Sequence, residues 1–159
     1  MNGASADEVE ALYRARHRAF VSYAAAVVGD GADAYDVVQE AFATALRKRR
    51  RFRGEGSLEG WLWSIVVSKA RDRVRRRPRE LPAASAEPAV TTNGHEADAA
   101  VRALLAALPS RQREAIFLRY FADLDYATIA DLLGISPGTV AATLNAAHAR
   151  LRSTLGAER

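Results

Sequence analysis

The sequence predicts an all-α protein made of two small helical domains joined by a flexible linker. Apolar residues make up 49% of the 159 positions, and over most of the chain they recur at helical spacing. One stretch, rich in proline and small polar residues, lacks any periodicity, as linkers do. We therefore predict a first domain over residues 1–77, a linker over 78–97 and a second domain over 98–159.

The composition excludes several kinds of site. The chain has no cysteine, so disulfides and thiolate metal sites are ruled out, and His17, His95 and His148 lie too far apart to suggest a ligand cluster. No metal or other cofactor is implied, and without a Ser/His/Asp set or a nucleotide loop an enzyme is the weakest function class. No apolar run matches a signal peptide or the roughly 20 residues of a membrane span, so we expect a cytoplasmic protein without membrane insertion.

The first two helices are predicted from their caps and their apolar spacing. Ser5 and Glu8 can form a capping box, and the helix that follows continues to Gly29. Asp33 is predicted to cap the second helix, which has a regular apolar stripe. The opposite face of this helix carries Asp36, Gln39, Glu40 and Thr44. Periodicity alone indicates no more than a solvated face there.

A basic segment precedes the third helix. Six Lys and Arg side chains surround Phe52 between positions 47 and 53, and a glycine-containing turn leads to Ser57, a predicted N-cap. The helix from Leu58 to about Arg77 has two apolar seams and is therefore expected to be packed on two sides. The first seam consists of Leu58, Trp61, Leu62, Ile65 and Val66, and the second of Trp63, Val67, Ala70 and Val74. Between them runs a stripe that should be exposed, formed by Ser64, Ser68, Arg71, Asp72 and Arg75.

Four helices are predicted in the second domain. They run over Asp98–Leu108, Ser110 to about Phe121, Asp125–Leu133 and Ser136 to about Leu155. The predicted core comprises Leu104, Leu105, Leu108, Ile116, Phe117, Tyr120, Ile129, Leu132, Val140, Leu144 and Leu151. A small residue four positions before Gly134 and Val140 six positions after it favour a helix-turn-helix over an ordinary helical hairpin.

Three segments, taken together and in order, resemble bacterial sigma factors of the extracytoplasmic-function type. They are "DAYDVVQEAFATAL", "FRGEGSLEGWLWSIVVSKARDRVRRR" and "LPSRQREAIFLRYFADLDYATIADLLGISPGTVAATL". The resemblance implies an initiation subunit that binds core RNA polymerase and directs it to promoter DNA. Residues 1–77 would form its region 2 and residues 98–159 its region 4. An anti-sigma factor is left open as a further partner.

The resemblance also implies roles for side chains of the first domain. Asp36, Gln39 and Glu40 fill the family's "D-x-x-Q-E" segment, which docks on core polymerase, and this replaces the solvated-face interpretation. The residues implied at the minus-10 element are Phe52, Arg53, Trp63, Ser68, Lys69, Arg71, Asp72, Arg75 and Arg76. Because Trp61 lies on the main apolar seam, we expect Trp61 in the core and Trp63 beside the melted strand. Ser68 stands where the family commonly has Asn.

The last helix departs further from the family. Where the family often reads "G-T-V-K-S-R-L", this chain has "GTVAATL". Residues 98–159 carry 7 Lys and Arg against 6 Asp and Glu, whereas residues 1–77 carry 15 against 10. The second domain should therefore bind duplex DNA poorly by itself, because phosphate neutralisation supplies most non-specific affinity.

Two interpretations of this near-neutral helix stay open. It can read shape and thymine methyl groups at the minus-35 element while polymerase and region 2 supply the affinity. The residues assigned to that reading are Ser136, Thr139, Ala142, Thr143, Asn145 and Ala146. Alternatively, region 4 has lost promoter reading and serves as a docking surface for polymerase or a regulator. The alternative function for the whole chain is a stand-alone helix-turn-helix regulator without sigma activity.

Overall fold

The structure, a computed structural model, describes residues 3–29, 31–77 and 96–157. All regular secondary structure within these ranges is helical, which confirms the predicted fold class. The helices are α1 (Ala6–Val28), α2 (Gly31–Lys48), α3 (Leu58–Arg75), α4 (Glu96–Ala106), α5 (Ser110–Ile116), α6 (Tyr126–Leu133) and α7 (Pro137–Ala157). A 3₁₀ turn at Arg49–Arg51 follows α2, and a π turn at Phe117–Phe121 follows α5. The predicted linker and His95 lie outside the described residues, apart from the start of α4.

Most of the predicted caps form. The Ser5 hydroxyl accepts a hydrogen bond from the Glu8 amide at 3.1 Å while the Glu8 carboxylate accepts one from the Ser5 amide at 2.7 Å, which completes the capping box. Those hydrogen bonds, from the Ser5 backbone first, lower the pKa of Glu8. At the start of α3, the Ser57 hydroxyl accepts from the Gly60 amide at 2.9 Å.

The prediction that Asp33 caps the second helix is wrong. α2 already begins at Gly31, so Asp33 lies in its first turn. An acidic residue is favoured in the first turn as well as at the cap, because both positions face the positive end of the helix dipole. The Asp33 carboxylate instead lies 3.0 Å from a terminal nitrogen of Arg73 and 3.1 Å from one of Arg77. These two ion pairs link α2 to the C-terminal end of α3.

Helices α1, α2 and α3 pack around one apolar core. Phe20, Tyr23 and Trp63 lie at its centre, each fully buried, with the Trp63 ring centroid 4.6 Å from that of Phe20 and 5.8 Å from that of Tyr23. Both pairs are edge-on, the geometry that aromatic quadrupoles favour. The core residues that line α2 on the inner side include Val37, Val38 and Ala41. On the opposite face Asp36, Gln39 and Glu40 are exposed, whereas Thr44, which the periodicity placed with them, is buried.

A second core lies among α5, α6 and α7. Leu118, Ile129 and Leu144 are buried there. α6 and α7 meet at 99° across Gly134, which adopts the left-handed φ of 68° that ends α6. This is the predicted helix-turn-helix. Among the described residues no single helix meets the length and hydropathy expected of a membrane span; α6 and α7 do so only when taken together across that bend.

The predicted burial of Tyr120 is wrong. Its side chain is 57% exposed, and Phe121 is also exposed, whereas Leu118 is fully buried. The prediction assumed an unbroken α-helix to Phe121, but from Phe117 the backbone widens into a π turn that the Ala122 amide closes on the Phe117 carbonyl. The extra residue in this turn changes which side chains face the core.

The two helical groups touch. α1 packs against α5 and the π turn, and α3 contacts α6. The surfaces of the first three helices are therefore divided between those that face solvent and those that face the C-terminal helices.

Candidate nucleic-acid interface

The outer face of α2 carries the acidic and amide side chains of the "D-x-x-Q-E" segment. Asp36, Gln39 and Glu40 are all exposed, because the apolar stripe of the same helix takes the inner side. A carboxylate oxygen of Glu40 lies 3.4 Å from a terminal nitrogen of Arg73 on α3. This exposed pair contributes little to folding. The structure thus presents all three side chains together on one free surface.

The polar stripe of α3 is only partly open. Ser64, Ser68 and Arg75 are exposed, as predicted, but Arg71 and Asp72 are half-buried. Asp72 pairs with Arg75 one turn further along the helix. Lys69 is half-buried and Arg76, at the end of α3, is exposed. The open part of the stripe therefore runs along one side of the helix and ends in cations.

The two tryptophans are placed the other way round from the prediction. Trp63 is 0% exposed, so the prediction that its ring lies at the DNA surface is wrong, whereas Trp61 is half-buried. Both seams of α3 contain buried residues, Leu62 and Val66 on one and Val67 on the other, so apolar spacing does not indicate which tryptophan is enclosed. In the folded chain α1 lies against the Trp63 seam and covers it with Phe20 and Tyr23.

Trp61 instead stands beside the basic loop. Its ring centroid lies 5.8 Å from that of Phe52, which is also half-buried. Arg53 next to Phe52 is exposed, and the turn that follows uses Gly54 and Gly56 at φ of 76° and 75°. Two partly accessible rings and a free cation are thus combined at the start of α3, which is the chemistry that holds an unpaired base and its phosphate.

The N-terminal half of α7 borders an open groove of about 540 Å³. Pro109, Arg111 and Gln112 form one wall, and the other is formed by residues of α7 and its cap, namely Ser136, Gly138, Thr139, Ala142, Thr143 and Ala146. The Ser136 hydroxyl accepts from the Thr139 amide at 3.1 Å and so caps α7 as predicted. Asn145 is exposed but does not line this groove.

The helix before the turn is also firmly capped. A carboxylate oxygen of Asp125 accepts from the Thr128 amide at 2.8 Å. Hydrogen bonds from Thr128, its side chain first, lower the pKa of Asp125. Both helices of the helix-turn-helix therefore begin at residues whose side chains satisfy one of the first backbone amides.

One residue at the boundary between the helical groups gave no signal in the sequence. Glu114 on α5 is buried at 8% exposure, and one of its carboxylate oxygens accepts from the Tyr23 hydroxyl at 2.5 Å and lies 3.3 Å from Nε of Arg71. Burial, followed by the nearby Glu114 charge, raises the pKa of Tyr23 well above its usual value, so the hydroxyl stays protonated and donates. A lone Glu that follows two nearby arginines is typical of a solvated helix face, so the sequence does not indicate its burial.

Comparison with known protein families identifies two regions of the chain. The model of sigma-70 region 2 matches residues 12–80, and that of sigma-70 region 4 matches residues 98–151. The ECF RNA polymerase sigma factor SigM of Mycobacterium tuberculosis is 34% identical over 149 residues, covering 91% of this chain and 76% of SigM. The RNA polymerase sigma-E factor of Streptomyces coelicolor is 30% identical, covering 93% of this chain and 86% of sigma-E.

Solved structures show the same fold. CnrH, solved in complex with the cytosolic domain of CnrY, is 26% identical with a TM-score of 0.73 over 98% of this chain and 92% of CnrH. The sigma factor RpoE of Bartonella quintana, solved with the anti-sigma factor NepR, is 23% identical with a TM-score of 0.76 over 96% of this chain and 97% of RpoE.

The two matched regions define a transcription-initiation subunit of the sigma-70 class. Within that class, the chain belongs to the extracytoplasmic-function (ECF) sigma factors. Members of this family are not enzymes; they bind core RNA polymerase and promoter DNA. The stand-alone regulator is thereby set aside, since its helix-turn-helix would need no region 2.

Proposed function

We propose that this sigma factor docks on core polymerase through Asp36, Gln39 and Glu40, opens the minus-10 element with the start and stripe of α3, and reads the minus-35 element with α7. The cytoplasm, where bacterial polymerase works, is the compartment this requires. The observation that carries the proposal is that three separate polar faces, on α2, α3 and α7, are wholly or partly exposed.

The docking role suits α2 because its outer face is polar, exposed and backed by a rigid helix. Asp36, Gln39 and Glu40 can accept or donate hydrogen bonds to a partner without disturbing Val37, Val38 or Ala41. Charged and amide groups at an interface mainly fix register and partner choice. A surface of this kind fits specific docking on one subunit of a large assembly.

The strand-opening role falls to the rings of Trp61 and Phe52, with Arg53 and the exposed cations of α3 holding the backbone. An aromatic ring can stack on any base, and such stacking is gained only after the strands separate. Ser68, Lys69, Arg75 and Arg76 lie on the accessible side of the helix or at its edge. Arg71 and Asp72 would join them, although both are half-buried here.

For α7 we propose that the helix recognises the minus-35 element mainly through uncharged side chains. Thr139 and Asn145 can hydrogen-bond to bases or phosphates, and Ala142 and Ala146 are small enough to lie against thymine methyl groups. The amides at the start of α7 can approach a phosphate. A specific observation favours the rival role as a protein-docking surface: Tyr120, Phe121 and Tyr126 are exposed large aromatic side chains on the same domain.

Regulation by an anti-sigma factor is part of the proposal. CnrH, whose fold the chain shares over nearly its whole length, is solved with the cytosolic domain of CnrY bound. We extend protein-based control of this kind to the present chain.

Glu40→Lys tests the docking assignment. Reversing an interfacial charge costs a few kcal/mol, so comigration with core polymerase and run-off transcription should both fall by about tenfold or more. The loss should occur without a change in the urea midpoint, because the exposed Glu40–Arg73 pair contributes little to folding. Glu10→Lys, an equal charge reversal on the exposed side of α1, is the matched control. Undiminished comigration of the Glu40 variant would refute the assignment.

A further inference from the structure

Glu114 is the one charged residue that is buried among the described side chains. An ionised carboxylate is costly to remove from water unless charges or donors replace its hydration. Two of the groups that do so, the hydroxyl of Tyr23 at 2.5 Å and Nε of Arg71 at 3.3 Å, come from α1 and α3. Only Arg111, at 3.8 Å, belongs to the same helix as Glu114. The environment of this carboxylate is thus built mainly by region 2.

The same boundary holds a second polar contact. The Arg16 guanidinium donates to the Glu59 carboxylate at 2.6 Å and also to the Ala122 carbonyl directly after the π turn. Arg16 therefore joins α1, α3 and the C-terminal helices at one point. Polar contacts of this kind, whose groups can return to water, are typical of domain interfaces that open and close.

The Glu114 contact also occupies part of the α3 stripe. Its carboxylate offsets the charge of Arg71, a residue assigned to the minus-10 phosphates, and would repel a phosphate that approached the same guanidinium. The α2 face with Asp36, Gln39 and Glu40 stays exposed in this arrangement. Closure thus interferes with DNA contact by Arg71 and leaves the polymerase-docking face accessible.

We propose that Glu114 is an autoinhibitory latch: its contact with Tyr23 and Arg71 holds region 4 on region 2 in the free factor, and promoter phosphate competes with Glu114 for Arg71. The competition between phosphate and Glu114 rests on the proposed minus-10 role of Arg71. The closed arrangement of the two regions is independent of that role. When the two regions separate, water hydrates the Glu114 carboxylate and so offsets the loss of its protein partners. The contact is therefore reversible.

The latch is tested by measuring the distance between the two regions in the free, full-length factor. Because the chain has no cysteine, Ala11→Cys on α1 and Ala149→Cys on α7, both exposed positions, give unique sites for spin labels. Glu114→Gln and Tyr23→Phe should each raise the population of long distances about tenfold, the equivalent of one charged hydrogen bond. Asp123→Asn removes an equal charge from an acid paired with Arg119 inside region 4 and should change nothing.

Binding of the free factor to a minus-10 fork DNA gives the second readout. Glu114→Gln should raise this affinity about tenfold over the wild type and over Asp123→Asn, and the gain should vanish in an Arg71→Ala background. Unchanged distance distributions in both latch variants would overturn the latch. Longer distances without a gain in DNA binding would overturn the competition for Arg71. Run-off transcription by the wild-type holoenzyme is scored separately, so failure of the sigma function is distinguishable from failure of the latch.

Discussion

Trp61 and Trp63 are two positions apart on α3 and serve different purposes. Trp63 is enclosed by Phe20 and Tyr23, and its indole nitrogen is buried without a hydrogen-bond partner in the described part of the chain. A buried ring with an unsatisfied donor is held by packing alone. Trp61 keeps part of its ring accessible next to Phe52. The first is therefore a stability residue and the second a candidate contact for an unpaired base.

Alanine at each position should separate these roles. Trp63→Ala should cost about 3–5 kcal/mol of unfolding free energy, since it empties the centre of the core. Trp61→Ala should cost much less stability but weaken promoter opening by the stacking energy of one base, about 1–3 kcal/mol. Urea denaturation and permanganate footprinting of the open complex report the two effects. Trp61→Phe, which keeps a ring, should retain most of the opening; equal loss in both Trp61 variants would contradict the stacking role.

At the level of elements, α7 combines a strong N-cap with a nearly uncharged face. Thr139, Ala142, Thr143 and Ala146 share one side of the helix and line the groove with Arg111. Because this face offers methyl groups and hydroxyls in place of cations, its contribution to DNA affinity should be small and its contribution to sequence choice larger. Dependence of transcription on the minus-35 sequence therefore distinguishes promoter reading from the alternative role as a docking surface.

Transcription from paired templates tests α7 in the holoenzyme. Scrambling the minus-35 element should lower initiation if α7 reads it, and indifference to the scramble would support the docking-surface role. Thr143→Arg should steepen the salt dependence of promoter binding by about one unit, because it adds one phosphate contact. Ala149→Arg places the same charge on another side of α7 and is the control. Equal slopes for the two variants would mean that the groove face does not meet DNA.

For the whole molecule, the boundary between the helical groups depends on a tyrosine that must stay protonated. Burial raises the pKa of Tyr23 well above its usual value. In the unfolded chain the hydroxyl ionises near its ordinary pKa of about 10. Stability linked to Tyr23 is therefore complete below about pH 10 and is lost as the pH rises from there towards the folded pKa.

Tyr23→Phe should remove this alkaline dependence. Above about pH 10 the wild type should lose unfolding free energy with a slope approaching one proton per molecule from this residue, plus a smaller part from Tyr13, whose pKa burial also raises. Tyr23→Phe should lose less unfolding free energy per pH unit than the wild type, and its stability at neutral pH should be lower. Tyr35→Phe, at an exposed position, is the control. A slope unchanged by Tyr23→Phe would show that its hydroxyl is not buried in solution.

Local signals in the sequence determined the helices, the caps at Ser5, Ser57 and Ser136, the helix-turn-helix and, through ordered motifs, the family. They act over three to eight neighbouring residues, so they can be read without knowledge of the fold. The assignments of individual side chains to polymerase and promoter remain predictions.

Only the tertiary structure decided that Trp63 is the enclosed tryptophan of α3, that a π turn exposes Tyr120, and that Glu114 meets Tyr23 and Arg71. Each depends on how helices far apart in sequence pack. Both seams of α3 contain buried residues, and Phe20 and Tyr23 of α1 enclose Trp63. The partners of Glu114 lie 91 and 43 positions away, beyond the reach of any local pattern. Burial of a charge is stable only once those partners are in place.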